Sequence, residues 1–154
     1  MSSEKNQVES EARHFRVVSQ FAAEILPLNT EFDVIRHLTR NAISKLGFID
    51  VVVYIFDEDK QVLQQRAAFG DKAPENYVVV DPIELRLGEG VVGKVAETRI
   101  PIMVNDTRLC DYYVVDDKRR LSELAVPLLD NDNLVGVIDT EHHELDYFTD
   151  NHLK

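Results

Sequence analysis

Three carboxylates, Glu123, Asp139 and Glu141, have the spacing that chemistry at a shared site requires. They lie in two apolar runs, 119–129 and 134–142, on either side of Asp130-Asn131-Asp132-Asn133. Asp and Asn side chains hydrogen-bond their own backbone and tolerate left-handed geometry. The cluster therefore supplies a turn, and the runs read as an antiparallel hairpin. Side chains alternate along a strand. Alternation puts Glu123, Ala125 and Pro127 on one side of the first strand and Leu124, Val126 and Leu128 on the other. In the second strand it groups Val135, Val137, Asp139 and Glu141 against Leu134, Gly136, Ile138 and Thr140. One face of the hairpin is apolar and calls for a helical layer. The other is apolar with the three acids near its end. Covered, that face is a pocket lined by carboxylates; open, it is a solvated rim, the usual place for Asp and Glu.

Other reactive side chains fit known chemistries poorly. Cys110 is the lone cysteine, which excludes an internal disulfide or a multi-cysteine zinc site and fits a reducing cytoplasm. A lone thiol lacks the resolving partner of a reductase cycle, and Cys110 reads as an inert, partly buried small residue. His142 and His143 are strand neighbours and point to opposite sides, so they read as a solvated strand end and not as metal ligands with Asp139 and Glu141. Ser122 precedes a strand, whereas a hydrolase nucleophile needs an elbow turn. Arg119 and Arg120 read as a solvated pair. Tyr54, Tyr112 and Tyr113 are candidate pocket walls.

The elements that must hold these residues fit one domain of 154 residues. No apolar run reaches the length of a membrane span, and the polar start lacks a secretory signal. A net charge of −11 argues against nucleic acid and anionic membrane as partners, since both need a basic patch. Val8, Ala12, Phe15, Val18, Ala22 and Ile25 recur at helical spacing, which predicts a helix from about Glu4 to Leu26, ended near Pro27. Its narrow stripe suits a partner helix from a second subunit. A second helix, capped by Asn29 or Thr30, buries Phe32, Ile35, Leu38, Ala42, Ile43 and Leu46 and stops at Gly47. Phe48 to Phe56 reads as a buried strand, Asp57 to Lys60 as a turn, and Val62 to Phe69 as the returning strand. Gly70 to Pro82 is a mixed loop with a short strand over Tyr77 to Val80. Gly88 and Gly90 make a tight turn into a short helix, whose Gly93 and Ala96 allow close approach to the sheet. The glycine spacing matches neither the dinucleotide fingerprint nor the P-loop. Pro101 to Val104 is an edge strand; Leu109 to Lys118 is a loop or single helical turn. Thr149 caps a final helix that the sequence enters and does not complete.

Five pieces, Leu87 to Thr98, Pro101 to Asp106, Ser122 to Leu128, Leu134 to Asp139 and Phe148-Thr149, fall in the order and spacing of GAF domains, and from about residue 10 onward the sequence resembles that family. The resemblance implies an α+β fold: a six-stranded antiparallel sheet, helices equivalent to 4–26, 32–46 and 149–154 on one face, and a roofed ligand pocket on the other. The helix at 91–98 and the loop 105–118 would form the roof. Family members that reduce free methionine sulfoxide use acids at such positions to hold the substrate's ammonium group. By that resemblance Glu123, Asp139 and Glu141 are expected to bind an amine or amino-acid-like cation, with Val91, Val92, Tyr54, Tyr113 and Cys110 completing the site. Like charges so close raise at least one pKa unless a cation arrives. The reductase chemistry itself does not carry over, because its cysteines fall near Pro82, Val92 and Asp116.

The expected organisation is a dimerising linker helix over 1–27 and a GAF domain over 28–154. The expected function is a non-enzymatic, cytoplasmic sensor of an unidentified small molecule. It would need no cofactor or metal, pair as a homodimer through its terminal helices, and act on a downstream output such as a histidine kinase in a bacterial signalling protein. The rivals are a divergent free methionine sulfoxide reductase and a ligand-free dimerisation module.

Overall fold

The computed structural model describes residues 22–73 and 79–153 together with Ala12, Phe15, Arg16, Ser19 and Gln20; over 42–46 it describes the backbone alone. Residues 4–11, 13, 14, 17, 18 and 21 of the expected N-terminal helix, and Tyr77-Val78 of the expected short strand, lie outside the described residues. Ala12, Phe15, Arg16, Ser19, Gln20 and 22–25 are helical, and the chain turns at Leu26-Pro27. Glu24 meets His37 at 3.1 Å, so this helix runs beside the next one. That next helix, α1 (Glu31–Leu46), opens as its composition requires: the Asp33 N–H donates to Thr30 Oγ1 at 3.1 Å, and Glu31 and Asp33 face the positive helix end. Gly47, at φ +75°, ends it.

Six strands follow: β1 (Val51–Asp57), β2 (Val62–Phe69), β3 (Glu84–Arg86), β4 (Ile102–Val104), β5 (Ser122–Asp130) and β6 (Asn133–His142). They form one antiparallel sheet in the order β3-β2-β1-β6-β5-β4. The proline-led β4 lies at one edge, as read from the sequence. The other edge, β3, gave no sequence signal, because Glu-Leu-Arg is too short to show a period. Phe48 does not join β1; it packs edge-on against Phe148, with ring centroids 6.1 Å apart, on the helical side. Val79 and Val80 form no strand.

Each face of the sheet has its own apolar layer. Val53 and Ala67 pack with Ile35 of α1, while Val51 and Leu124 pack with Phe48 and Phe148. The opposite face holds the larger cluster, in which Val52, Tyr54, Leu63, Ala125 and Val137 meet Val91, Val92, Val95 and Ala96 of α2 (Gly90–Thr98). Close approach of α2 depends on Gly93, where any Cβ would collide with the Arg86 carbonyl oxygen.

The hairpin turns on Asn131, at φ +54°, as its Asx cluster predicts. Its pairing corrects one assignment. Leu128 pairs with Gly136 but Leu129 with Leu134, so Val135 is an extra residue on β6. A bulge shifts parity by one. Leu134 therefore joins the roof-side cluster with Val137, and Val135 turns to solvent. No helix among the described residues is long and apolar enough to cross a membrane.

Candidate functional site

Below the bulge, parity is undisturbed and the three acids share a face. Glu123 stands opposite Glu141, Ala125 opposite Asp139, and Asp139 faces Val52 of β1. That face is covered: Glu123, Asp139 and Glu141 are 5%, 5% and 7% exposed. They line a cavity of about 20 Å³ together with Tyr54, Asp116, and Gly90, Val91 and Val92 from the N-terminal turn of α2. A space of that size holds one or two water molecules.

The electrostatics follow from burial. Loss of solvation pushes the Glu123 carboxyl up to about 8, with Glu141 adding to the effect. Asp139 is pushed well above the ordinary carboxylate range, first by burial and then by Glu123 and Glu141. Glu141 rises to about 7 through burial, opposed by the hydrogen bond that Tyr113 Oη donates to its Oε1 at 2.6 Å. Glu123 Oε2 and Asp139 Oδ1 are buried and have no donor among the other described groups, while the two carboxyls lie within hydrogen-bond reach of each other.

Of the residues singled out from the sequence, the fold brings Glu123, Asp139, Glu141, Tyr54, Val91 and Val92 to the cavity wall. Tyr113 reaches the site through Glu141, and its hydroxyl also accepts from the Arg120 N–H at 3.1 Å. Cys110 is not on the cavity wall; it is half-buried against the roof-side core and lines a surface groove with Met103, Leu109 and Tyr112. Tyr112 is likewise outside the cavity and half exposed; Lys94 lies 4.6 Å over its ring.

Two expectations of solvated residues are overturned. Arg120 is 4% exposed and donates to Asp50 Oδ2 at 2.9 Å, with Asp71 and Asp117 at 3.4 Å. Burial raises Asp50 to about 6 even against the guanidinium. His142 is buried too, its ring stacked on Tyr147 at 3.4 Å between centroids and on His143 at 4.3 Å. The strand ends at His142, so alternation no longer separates the two histidines.

Sequence reasoning missed the far wall. Asp116 lines the cavity and is held by Lys72 and by Gln65, whose amide also donates to the Tyr54 hydroxyl at 2.8 Å. Lys72 and Gln65 are each 5% exposed. Nothing local marks them, since Lys72 meets Asp116 across 44 residues of chain. No group of three or more His, Cys, Asp or Glu side chains among the described residues is arranged to hold a metal ion.

The family profile described as GAF domain matches residues 29–154. No curated protein matches the chain in sequence. Among solved structures, the chain is similar to the GAF domain of a phosphoenolpyruvate-protein phosphotransferase from Acinetobacter, with 19% identity, 92% of this chain and 84% of that chain covered, and a TM-score of 0.78. The corresponding domain from Coxiella burnetii gives 18%, 90%, 82% and 0.76. A free methionine-R-sulfoxide reductase from Neisseria meningitidis, in complex with its substrate, gives 18%, 89%, 79% and 0.75. At such identities the likeness to these structures shows the fold alone.

Proposed function

The chain belongs to the GAF domain family, and from that premise we propose that it is a non-enzymatic regulatory module whose roofed cavity senses a small molecule bearing an ammonium group. The observation that carries this reading is the pair of unpartnered oxygens, Glu123 Oε2 and Asp139 Oδ1, buried in the cavity. A buried acid without a donor costs stability, and a ligand that supplies one removes that cost on binding. An ammonium carries three donors and a positive charge, matching three carboxyls that meet at one place.

The mechanism is a shift between roof arrangements. A ligand that pairs with Glu141 competes with Tyr113 for the same oxygen, and one that stands between Glu123 and Val91 contacts both floor and roof. Differential contact of that kind biases one arrangement over the other. The sheet then passes the change to α1 and the helix before it, and so to an output in a bacterial signalling protein. Phe15, Leu26 and Phe32 are exposed along these helices and support a homodimer through that side.

The test is a thermal-shift screen of small primary amines against the wild-type chain and the Glu123→Gln/Asp139→Asn pair. Amines that stabilise the first and leave the second unmoved support the reading; equal stabilisation of both removes the acids from the site. The cavity volume of about 20 Å³ favours a second reading, a dimerisation module whose pocket is filled by its own side chains. Under it, no compound stabilises the chain at all, while the dimer persists in sedimentation.

A further inference from the structure

Among the described residues, no cationic side chain pairs with Glu123, Asp139 or Glu141. From β1 comes the Tyr54 hydroxyl, which accepts from Gln65 and brings no positive charge. From the 107–121 loop come Tyr113, which donates to Glu141, and Asp116, an acid held on its far side by Lys72. Arg120 draws Glu141 down from a distance, but its guanidinium is bonded to Asp50, Asp71 and Asp117. The α2 turn brings only Gly90, Val91 and Val92. Three unpaired anions in such a space would cost more than a fold of ordinary, marginal stability can sustain. Protons are the cations that fit.

We propose that the empty cavity stores a proton shared between Glu123 and Asp139, and that an ammonium ligand binds by expelling it to solvent, so that occupancy reports ligand and pH together. This rests on the amine reading above and adds the regulation of that site. The exchange balances without a further reactant. The carboxyl O–H breaks, its proton passes to a solvent base, and an ammonium N–H donates to the carboxylate left behind. Burial and mutual repulsion of the acids place the window below about pH 8. Inside it, one expelled proton makes the affinity rise about tenfold per pH unit.

The experiment is an NMR titration of the intact chain with ethylammonium chloride at pH 5.5, 6.5 and 7.5. A ligand of three non-hydrogen atoms is limited to roughly millimolar affinity, within reach of that method. The expected result is a Kd that falls about tenfold at each step. A Kd independent of pH overturns proton exchange and leaves the amine site standing. If ethylammonium does not bind, the amine reading fails, and infrared spectroscopy of the free protein decides the proton store. At pH 7 ordinary carboxyls are ionised and Glu141, at about 7, is half so; the wild-type chain must therefore show a protonated-carboxyl C=O stretch that fades toward pH 9 and drops to the Glu141 share in Glu123→Gln/Asp139→Asn. A wild-type spectrum without that band overturns the proposal, whether or not the double variant folds.

Discussion

Glu123→Gln offers a demanding test of the buried acids. In the folded chain Glu123 holds its proton up to about pH 8, against an ordinary value of 4.5. A raised folded-state pKa means that the folded form binds more protons between those limits. The contribution is fully present below about pH 4.5 and is lost as pH climbs toward 8. At 1.36 kcal/mol per pH unit, the full interval is a ceiling of about 5 kcal/mol. Sharing of the proton with Asp139 and entry of water reduce it, and we expect wild-type stability to fall by roughly 2 kcal/mol from pH 5.5 to 8 on this account. Glutamine keeps the shape, carries no charge at any pH, and can donate its amide N–H to Asp139. The variant should match the wild type within about 0.5 kcal/mol at pH 5.5 and exceed it by about 2 kcal/mol at pH 8. His142, whose pKa burial lowers, pushes stability the other way as pH rises toward 6.5, but it is common to both proteins and cancels in their difference. The assay is urea unfolding at each pH, with unchanged m values to certify a two-state comparison. Parallel stability curves for the two proteins would refute the reasoning, since they would mean that Glu123 ionises as freely folded as unfolded.

Three further perturbations probe the frame of the site. Gly93→Ala places a methyl against the Arg86 carbonyl, so α2 must move off the sheet; a loss of about 2–4 kcal/mol is expected by urea unfolding, and a neutral result would show that the roof is not closely seated. Arg120→Met leaves Asp50 buried beside no cation; it should cost roughly 3 kcal/mol at pH 8 and distinctly less at pH 5.5, where Asp50, already raised to about 6, is protonated. The same cost at both pH values would mean that Arg120 acts through packing alone. Tyr113→Phe removes the hydroxyl that joins the 107–121 loop to Glu141. It should cost about 1 kcal/mol and speed amide hydrogen exchange of that loop, and unchanged exchange would count against Tyr113 as its anchor.

The strands, helices and turns were legible because their causes are local. Strand alternation is covalent geometry, so Glu123 could be placed with Asp139 and Glu141 before any fold was known. Thr30 and Asp33 announce a helix start, and Asn131 a turn, through bonds within a few residues. Within the hairpin, parity failed at Val135, where a bulge that no residue type demands inserts one position. Tertiary structure decided whether the acid face is a site, and it did so through partners remote in sequence. Asp50 reaches Arg120 across 70 residues, and Lys72 holds Asp116 against the cavity from another loop. The roof comes down on the acids because Gly93 lets α2 seat on the sheet. Desolvation, which turns three ordinary carboxyls into acids that keep protons near neutral pH, is a property of that packed volume and of no stretch of chain.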